Sequence, residues 1–397
     1  MVIFQNKGRI AKIWVEKLKE IEPQCLAQIE LMLQIPSLFK HIAIMPDVHL
    51  GKGAVIGGVV ATKKTVIPNI VGVDIGCGIC GLNTQLTFDK EGMNKQFWMN
   101  FKSKVDRAIP TGFNYFKDKQ GMGQISSSLA AKPLQKLMDR ASQQIGTLGG
   151  GNHFLEASYD EEESIWLMVH SGSRHIGLRI AEYYNQLAQE LNIKRHEITP
   201  KDLWFLHLDE KEGQDYLHDM TWAITYALES RWQMLAMLYE AFVQVAQTAG
   251  YKLKKSNIRR DGINIHHNFA SLETHFGEEL VMHRKGATQA FKNQVGIIPG
   301  SMGTPSFIVK GKGNPDSYKS CSHGAGRIMS RTQARKTIDG NAFHQSLEDT
   351  FTKASIKYLD EAPGAYKDIT KVMANQQDLI EIIHTLKPII SIKGEGD

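Results

Sequence analysis

The sequence predicts a single α+β domain spanning residues 1–397. Three observations predict it. Short β-like runs alternate with helical stretches along the whole 397-residue chain. No internal repeat, low-complexity tract or Pro/Ser-rich linker divides it. Loops carrying histidine, cysteine and glycine are spread from residue 45 to the C-terminus, and they converge only if the whole chain packs together. A hydrophobic fraction of 42% beside a charged fraction of 22% fits a globular chain with a large core.

Taken in order, an amphipathic helix is expected over Pro23–Leu33, then β-like runs over His41–Asp47 and Lys63–Asp74. From Asp89 to Gly123 the chain is lysine-rich and weakly patterned, which reads as a solvated helix and loop, with a nucleic-acid-facing surface as the alternative. Helical periodicity returns over Pro133–Ile145 and Leu178–Leu191. It recurs over a long stretch that Asp219 is expected to cap and Gly250 to stop. Glu229, Arg231 and Glu240 interrupt the apolar face of that stretch, so it reads as a core helix rather than a membrane span. Short strands in GINIHHN, ELVMHRKGA, VGIIPGS and SFIVKGKG follow, then helical stretches over Asn341–Leu359 and Lys367–Leu386 and a last strand in PIISIKG.

The net charge of +5 permits a polyanionic partner without demanding one. Charged residues recur every few positions in MVIFQNKGRIAKIWVEKLKE, where a secretory leader or membrane anchor would need an uninterrupted apolar run. A cytoplasmic protein without a membrane partner is expected. Its four cysteines, Cys25, Cys77, Cys80 and Cys321, are irregularly spaced and read as reduced thiols rather than a disulfide framework.

Chemistry concentrates in the histidines. Eight of fifteen, His49, His153, His170, His175, His266, His267, His283 and His323, stand in or beside polar loops at expected strand ends. Singly, such histidines are usually hydrogen-bonded scaffolding. Together with Asp74 and Cys77 they supply imidazole, thiolate and carboxylate, the ligand set of a borderline divalent metal. In VGVDIGCGIC, Cys77 and Cys80 form a C-x-x-C pair, but the segment runs into a β-like stretch instead of the helix start that lowers a thiol pKa. No second pair completes a structural zinc site. Metal ligation by Asp74 and Cys77 is the leading reading, with Cys80 and Cys25 as buried thiols.

There is no G-x-x-x-x-G-K-[ST] phosphate loop, but GTLGGGNHFLE, PGSMGTPSF and SHGAGR are glycine-rich turns whose N–H groups can cradle phosphate. In the last, His323 is set on a tight turn near Arg327, a guanidinium able to hold phosphate. The residues alone leave His323 as nucleophile, general base or metal ligand. Asp47 and His49 read equally as neighbours of a ligand or as structural residues. His175 and His283 suit phosphate contact or scaffolding, and His266 the surroundings of the ligands or the core.

The motifs MPDVHLGKGAVIGG, VGVDIGCG, GTLGGGNHFLE, VHSGSRHIG, HHNFA, HRKGAT, PGSMGTPSF, CSHGAGRIMSR, EAPGAYKD and SIKG occur in the order found in the RtcB family of RNA-splicing ligases, from Met45 to Gly394. The chain therefore resembles that family. The resemblance implies one compact domain with mixed β-sheets flanked by helices around a central dimetal and nucleotide cleft. It implies a monomeric ligase that uses GTP and two Mn²⁺ ions to join RNA 2′,3′-cyclic phosphate or 3′-phosphate ends to 5′-hydroxyl ends, in tRNA splicing or RNA repair. An archease-like activator is a candidate partner. By the same resemblance, His323 takes GMP from GTP, and Asp74, Cys77, His153, His170 and His267 hold the metals with Cys77 bridging. Asn152, Glu156, Ser301, Ser306, Tyr366 and Lys393 line the guanylate pocket. The mixed ligand set also admits zinc or cobalt. Phe307 and Pro305 depart from the family pattern on either side of Ser306, and the segment Asp89–Gly123 is the part least matched to it. A metal-dependent phosphoesterase acting on RNA ends without joining them is the alternative enzyme, and an idle RNA-binding relative the non-enzymatic one.

Overall fold

The computed structural model describes the chain except residues 124, 126, 127, 255 and 395–397. Two large sheets carry it. The first has six strands in the order Val2–Asn6, Arg9–Ile13, Leu38–His49, Ile56–Thr62, Glu278–Lys285 and Asn268–His275. It is mixed, since Arg9–Ile13 pairs parallel with Leu38–His49 whereas its other pairs are antiparallel. Ile42 and Ile44 face one apolar cluster and Ala43 and Met45 the other, so this strand is buried on both faces, as its continuous apolar run requires.

The second sheet has seven antiparallel strands in the order Ile263–His266, Gly78–Thr87, Ser164–Ser171, Phe154–Tyr159, Ile380–Ile392, Ser306–Gly311 and Val295–Ile298. The helix Lys211–Thr248 lies across Gly78–Thr87 and Ser164–Ser171. Leu235, Leu238 and Phe242 on that helix meet Leu82, Leu167 and Val169 of the sheet and Trp98 and Phe101 of the helix Lys95–Ala108. Each such fully buried side chain contributes about 1.5–3 kcal/mol. Among the described residues no helix is long and apolar enough to cross a membrane.

Several expected elements change. The long helix begins eight residues before Asp219, at Lys211. Asp219 does not cap it: the fully buried carboxylate accepts from the Ala130 and Ala131 N–H groups, at 2.6 and 3.0 Å, and from the Tyr184 hydroxyl at 2.8 Å. Glu229 and Arg231 are themselves buried, Glu229 paired with Arg259 at 2.6 Å. Lys63–Asp74 is only briefly extended, at Thr65–Val66, because Pro68 cannot donate to a ladder and instead opens a helical turn, Pro68–Val71. Pro133–Ile145 divides into Lys132–Gln135 and Met138–Gln144. Asn341–Leu359 is helical over Gly340–Gln345 and resumes as a 3₁₀ segment at Ile356. Within Lys367–Leu386 only Ile369–Ala374 is helical, and Ile380 starts a thirteen-residue strand that pairs on both sides. Its β-branched residues suit that central place in the sheet.

Candidate functional site

Strand ends from both sheets meet at one cleft. Cys77 directly precedes the strand Gly78–Thr87, His153 precedes Phe154–Tyr159, and His170 is next to last in Ser164–Ser171, opposite Ile79 and Phe154. The antiparallel order places these three positions at the same end of the sheet. His267 is the single residue between the strand Ile263–His266 of the second sheet and Asn268–His275 of the first, and its N–H donates to the Cys77 carbonyl at 2.8 Å. Asp47 and His49 end Leu38–His49, and His323 follows the short strand Ser320–Ser322. A cavity of about 340 Å³ opens among them, the size of a nucleotide-scale pocket.

Two trios of ligand atoms share Cys77. Cys77, His170 and His267 form one and Asp74, Cys77 and His153 the other, the atoms within each lying within 4.8 Å of one another. Cys77 Sγ is 3.3 Å from His153 Nε2 and 3.4 Å from His170 Nε2. His170 Nδ1 lies 3.2 Å from the Asn152 carbonyl, which takes the proton on that nitrogen and leaves the Nε2 lone pair toward the sulfur. Gly172 is required here, because a β-carbon would collide with the Asp74 carboxylate. The buried Arg231 braces the site from behind, Nη1 donating to the carbonyls of Gly76 at 2.7 Å and Ser171 at 2.9 Å.

Burial, then the Asp74 charge, push the Cys77 thiol well up, and burial holds His170 and His267 well below the usual imidazole range. Burial would raise Asp74, but hydrogen bonding and charge from His153, with Cys77 and the Ser173 N–H, bring its carboxyl below the usual value. Neutral imidazoles and an ionised carboxylate around a thiol form a donor set that suits a cation, which would draw off the thiol proton. Cys80 lies apart, in the apolar cluster with Leu82 and Leu235.

His323 is 4.7 Å from His267, ring centre to ring centre. Its Nδ1 is 2.6 Å from Asp47 Oδ2, which also accepts the His323 backbone N–H at 3.1 Å. Asp47 is fully buried, so this hydrogen bond fixes the tautomer and leaves Nε2 with its lone pair. His49 lies roughly parallel to His323 at 6.3 Å, its Nδ1 bonded to the Asp47 carbonyl at 2.9 Å, and burial lowers it to about 4. His266 and His283 are held near 3 and 4, chiefly by burial, and do not line the cavity. His283 accepts from the Ile67 N–H.

Asn152, Glu156, Ser301, Tyr366 and Lys393 also line the cavity. Ser306 is instead behind it, its hydroxyl accepting from the Gly300 N–H at 3.2 Å. Burial raises the Glu156 carboxyl to about 7 against hydrogen bonds from Ser391 and Ser158 and the charge of Lys393. Lys393 Nζ donates to Glu361 Oε2 at 2.9 Å and to the Gly151 carbonyl at 3.2 Å. The Tyr366 hydroxyl donates to the same carboxylate oxygen at 2.7 Å.

Arg327 differs from its expected role. Its guanidinium donates to Glu361, the Tyr366 hydroxyl and the carbonyls of Asp360 and Met329, so it braces the wall rather than pointing a free fork at phosphate. Sequence reading missed Glu361, which stands five residues before Tyr366 in EAPGAYKD and is the anchor of this wall. It also missed Asn268, whose amide donates to the Asp74 carbonyl while its oxygen accepts from the Gly286 N–H, and Ser391 in SIKG. Their places in EAPGAYKD, HHNFA and SIKG, motifs shared with the family, were the available signal.

The family model described as tRNA-splicing ligase RtcB matches residues 28–138 and 116–394. The RNA-splicing ligase RtcB of Escherichia coli is 38% identical over 96% of this chain and 97% of that protein. The tRNA-splicing ligases RtcB of Nanoarchaeum equitans and Thermococcus kodakarensis are 30% and 28% identical, each over 96% of this chain and over 93% and 92% of those proteins.

Proposed function

The chain belongs to the RtcB family of RNA-splicing ligases, and from that membership we propose that it joins RNA 3′-phosphate ends to 5′-hydroxyl ends at the expense of GTP, with His323 as the group that carries GMP. The observation that carries this reading is the buried Asp47 carboxylate on His323 Nδ1, beside two ligand trios that share one cysteine.

The Nε2 lone pair attacks the α-phosphorus of GTP. A nitrogen–phosphorus bond forms, the bond to the bridging oxygen breaks, and pyrophosphate leaves. Asp47 retains the Nδ1 proton in its hydrogen bond and offsets the positive charge developing on the ring. A 2′,3′-cyclic end is first opened by water to a 3′-phosphate. That phosphate then displaces the histidine from GMP, and the 5′-hydroxyl finally attacks the activated 3′-phosphorus, releasing GMP and closing the phosphodiester.

The guanine edge offers acceptor O6 and donor N2–H₂. An ionised Glu156 supplies the complementary acceptor and Lys393 the donor, with Asn152, Ser301 and Tyr366 completing the wall. The residues fit two manganese ions, one held by Asp74, Cys77 and His153 and one by Cys77, His170 and His267, which when bound would neutralise charge on the reacting phosphate. The reading also takes the enzyme as a cytoplasmic monomer open to an archease-like activator. Multiple turnover by the purified protein alone would remove the need for the activator.

Incubation with α-labelled GTP and manganese tests the proposal. Wild type becomes covalently labelled and His323→Ala does not. Opening of cyclic phosphate with neither labelled protein nor joined RNA would instead mark a phosphoesterase.

A further inference from the structure

The loop that follows the helix Lys95–Ala108 carries two aromatic side chains into solvent. Phe113 is 71% exposed and Tyr115 44%, an unusual exposure for two large rings two residues apart. The backbone beneath them is pinned rather than loose. Thr111 bridges to Leu148, Phe116 N–H donates to the Gln143 carbonyl at 3.0 Å, and Gln120 N–H to the Ser142 carbonyl at 2.8 Å. Arg174 Nη2 holds the Gly112 carbonyl at 2.6 Å.

The same contacts place the loop at the edge of the cleft. Arg174 and His153 crowd the two sides of Gly149, where a β-carbon would strike both. Gly394, the neighbour of cavity-lining Lys393, packs so closely on Gly112 and Gly149 that it too has no room for a side chain. The exposed rings are thus one backbone layer from a metal-ligand histidine and from the C-terminal segment of the nucleotide wall.

The surroundings are cationic. Between residues 111 and 140 the chain has five lysines and arginines against two aspartates. The exposed Arg140 guanidinium lies 5.5 Å from the centre of the Tyr115 ring, and the Arg140 and Arg179 charges both act on His175 at the start of the helix Arg174–Lys194. Exposed rings interleaved with cations complement unpaired nucleotides, whose bases stack while their phosphates are neutralised.

We propose that Phe113, Tyr115 and Arg140 form a stacking platform for unpaired nucleotides next to the RNA end held in the cleft, so that this enzyme selects single-stranded over paired ends with little regard to base sequence. The proposal rests on the ligase reading and adds to it the form of RNA that is taken.

The test is equilibrium binding of a short single-stranded RNA with a 3′-phosphate, and of the same end within a blunt duplex, to the full chain. The expected result is tighter binding of the single strand, with Phe113→Ala and Tyr115→Ala each weakening it roughly 5- to 100-fold and Phe113→Trp restoring it. Both alanine variants keep wild-type labelling by GTP, since neither ring touches the nucleotide wall. Equal affinity of wild type and the double alanine variant, or equal affinity for strand and duplex, overturns the platform. Tight RNA binding by a wild type that never labels with GMP overturns the ligase reading and leaves the platform standing.

Discussion

His323 Nδ1 and Asp47 Oδ2 are 2.6 Å apart, the carboxylate sealed from solvent at the end of one sheet and the imidazole on a loop some 276 residues later in the chain. In the proposed mechanism the pairing sets which histidine nitrogen attacks and where the charge that develops on the ring is met. Asp47→Asn preserves shape and removes that charge. Single-turnover transfer of GMP to His323 is expected to fall by roughly 10²- to 10⁴-fold with GTP affinity little changed. An unchanged rate would strip Asp47 of its role.

Cys77 and Cys80 are three residues apart and separate completely in the structure. Cys77→Ala removes the atom common to both trios, so bound manganese per chain and RNA joining should both collapse. Cys80→Ala empties a small volume in the apolar core, costing about 1 kcal/mol of stability, and should leave metal content and joining near wild type. Metal analysis of the two variants side by side separates them.

Glu156 gives a pH signature. Burial raises its carboxyl from the ordinary 4.5 to about 7, so the folded chain holds a proton that the unfolded chain releases between those values. Stability should therefore decline as pH rises from 4.5 to 7, by of order 2–3 kcal/mol, whereas GTP binding should strengthen as the acceptor ionises near 7. Glu156→Gln is expected to flatten both profiles and relax discrimination between GTP and ATP. Melting curves and nucleotide binding across this range check it, and unaltered profiles in the variant would exclude Glu156 as their source.

Glu361 locks Lys393, Tyr366 and Arg327 together. Burial would raise its carboxyl, but the Lys393 charge, the Tyr366 hydroxyl and Arg327 outweigh it and keep the group ionised below the ordinary range. Its stabilising contribution is present above the unfolded value and is lost as pH falls through the lowered one. Glu361→Gln leaves buried cations without their counter-charge, and a loss of about 3–5 kcal/mol of stability is expected. GTP affinity should drop at least tenfold because the wall that presents Lys393 loosens. Thermal melting with nucleotide titration measures both.

The helices and strands with a single clear period were legible, as at Pro23–Leu33, and the donor atoms of Asp74, Cys77, His153, His170 and His267, grouped from their residue types, do lie together. What escaped depended on distant partners. Asp219 has the chemistry of a helix cap, but its N–H donors come from residues 130 and 131 rather than from its own helix. Isoleucines from Ile380 onward fit a helical face as readily as a strand, and two flanking strands decide between them. Arg327 close to His323 suggested a phosphate fork, and only the fold brings Glu361, Tyr366 and the Asp360 carbonyl to occupy it. Ser306, weak already on sequence grounds, supports the Gly300 turn from outside the cavity.

His267 is the single residue joining the strand Ile263–His266 of the second sheet to Asn268–His275 of the first, the shortest of the chain's passages between the two. Joint and candidate metal ligand are therefore the same amino acid. A chain cut there into two complementing fragments would sever the connection at a donor of the first trio, and neither fragment would hold both Cys77 and an intact tether to His323. Cys77 and His323 fall on opposite sides of that cut, so a cleft rebuilt from two such fragments would form only when they associate.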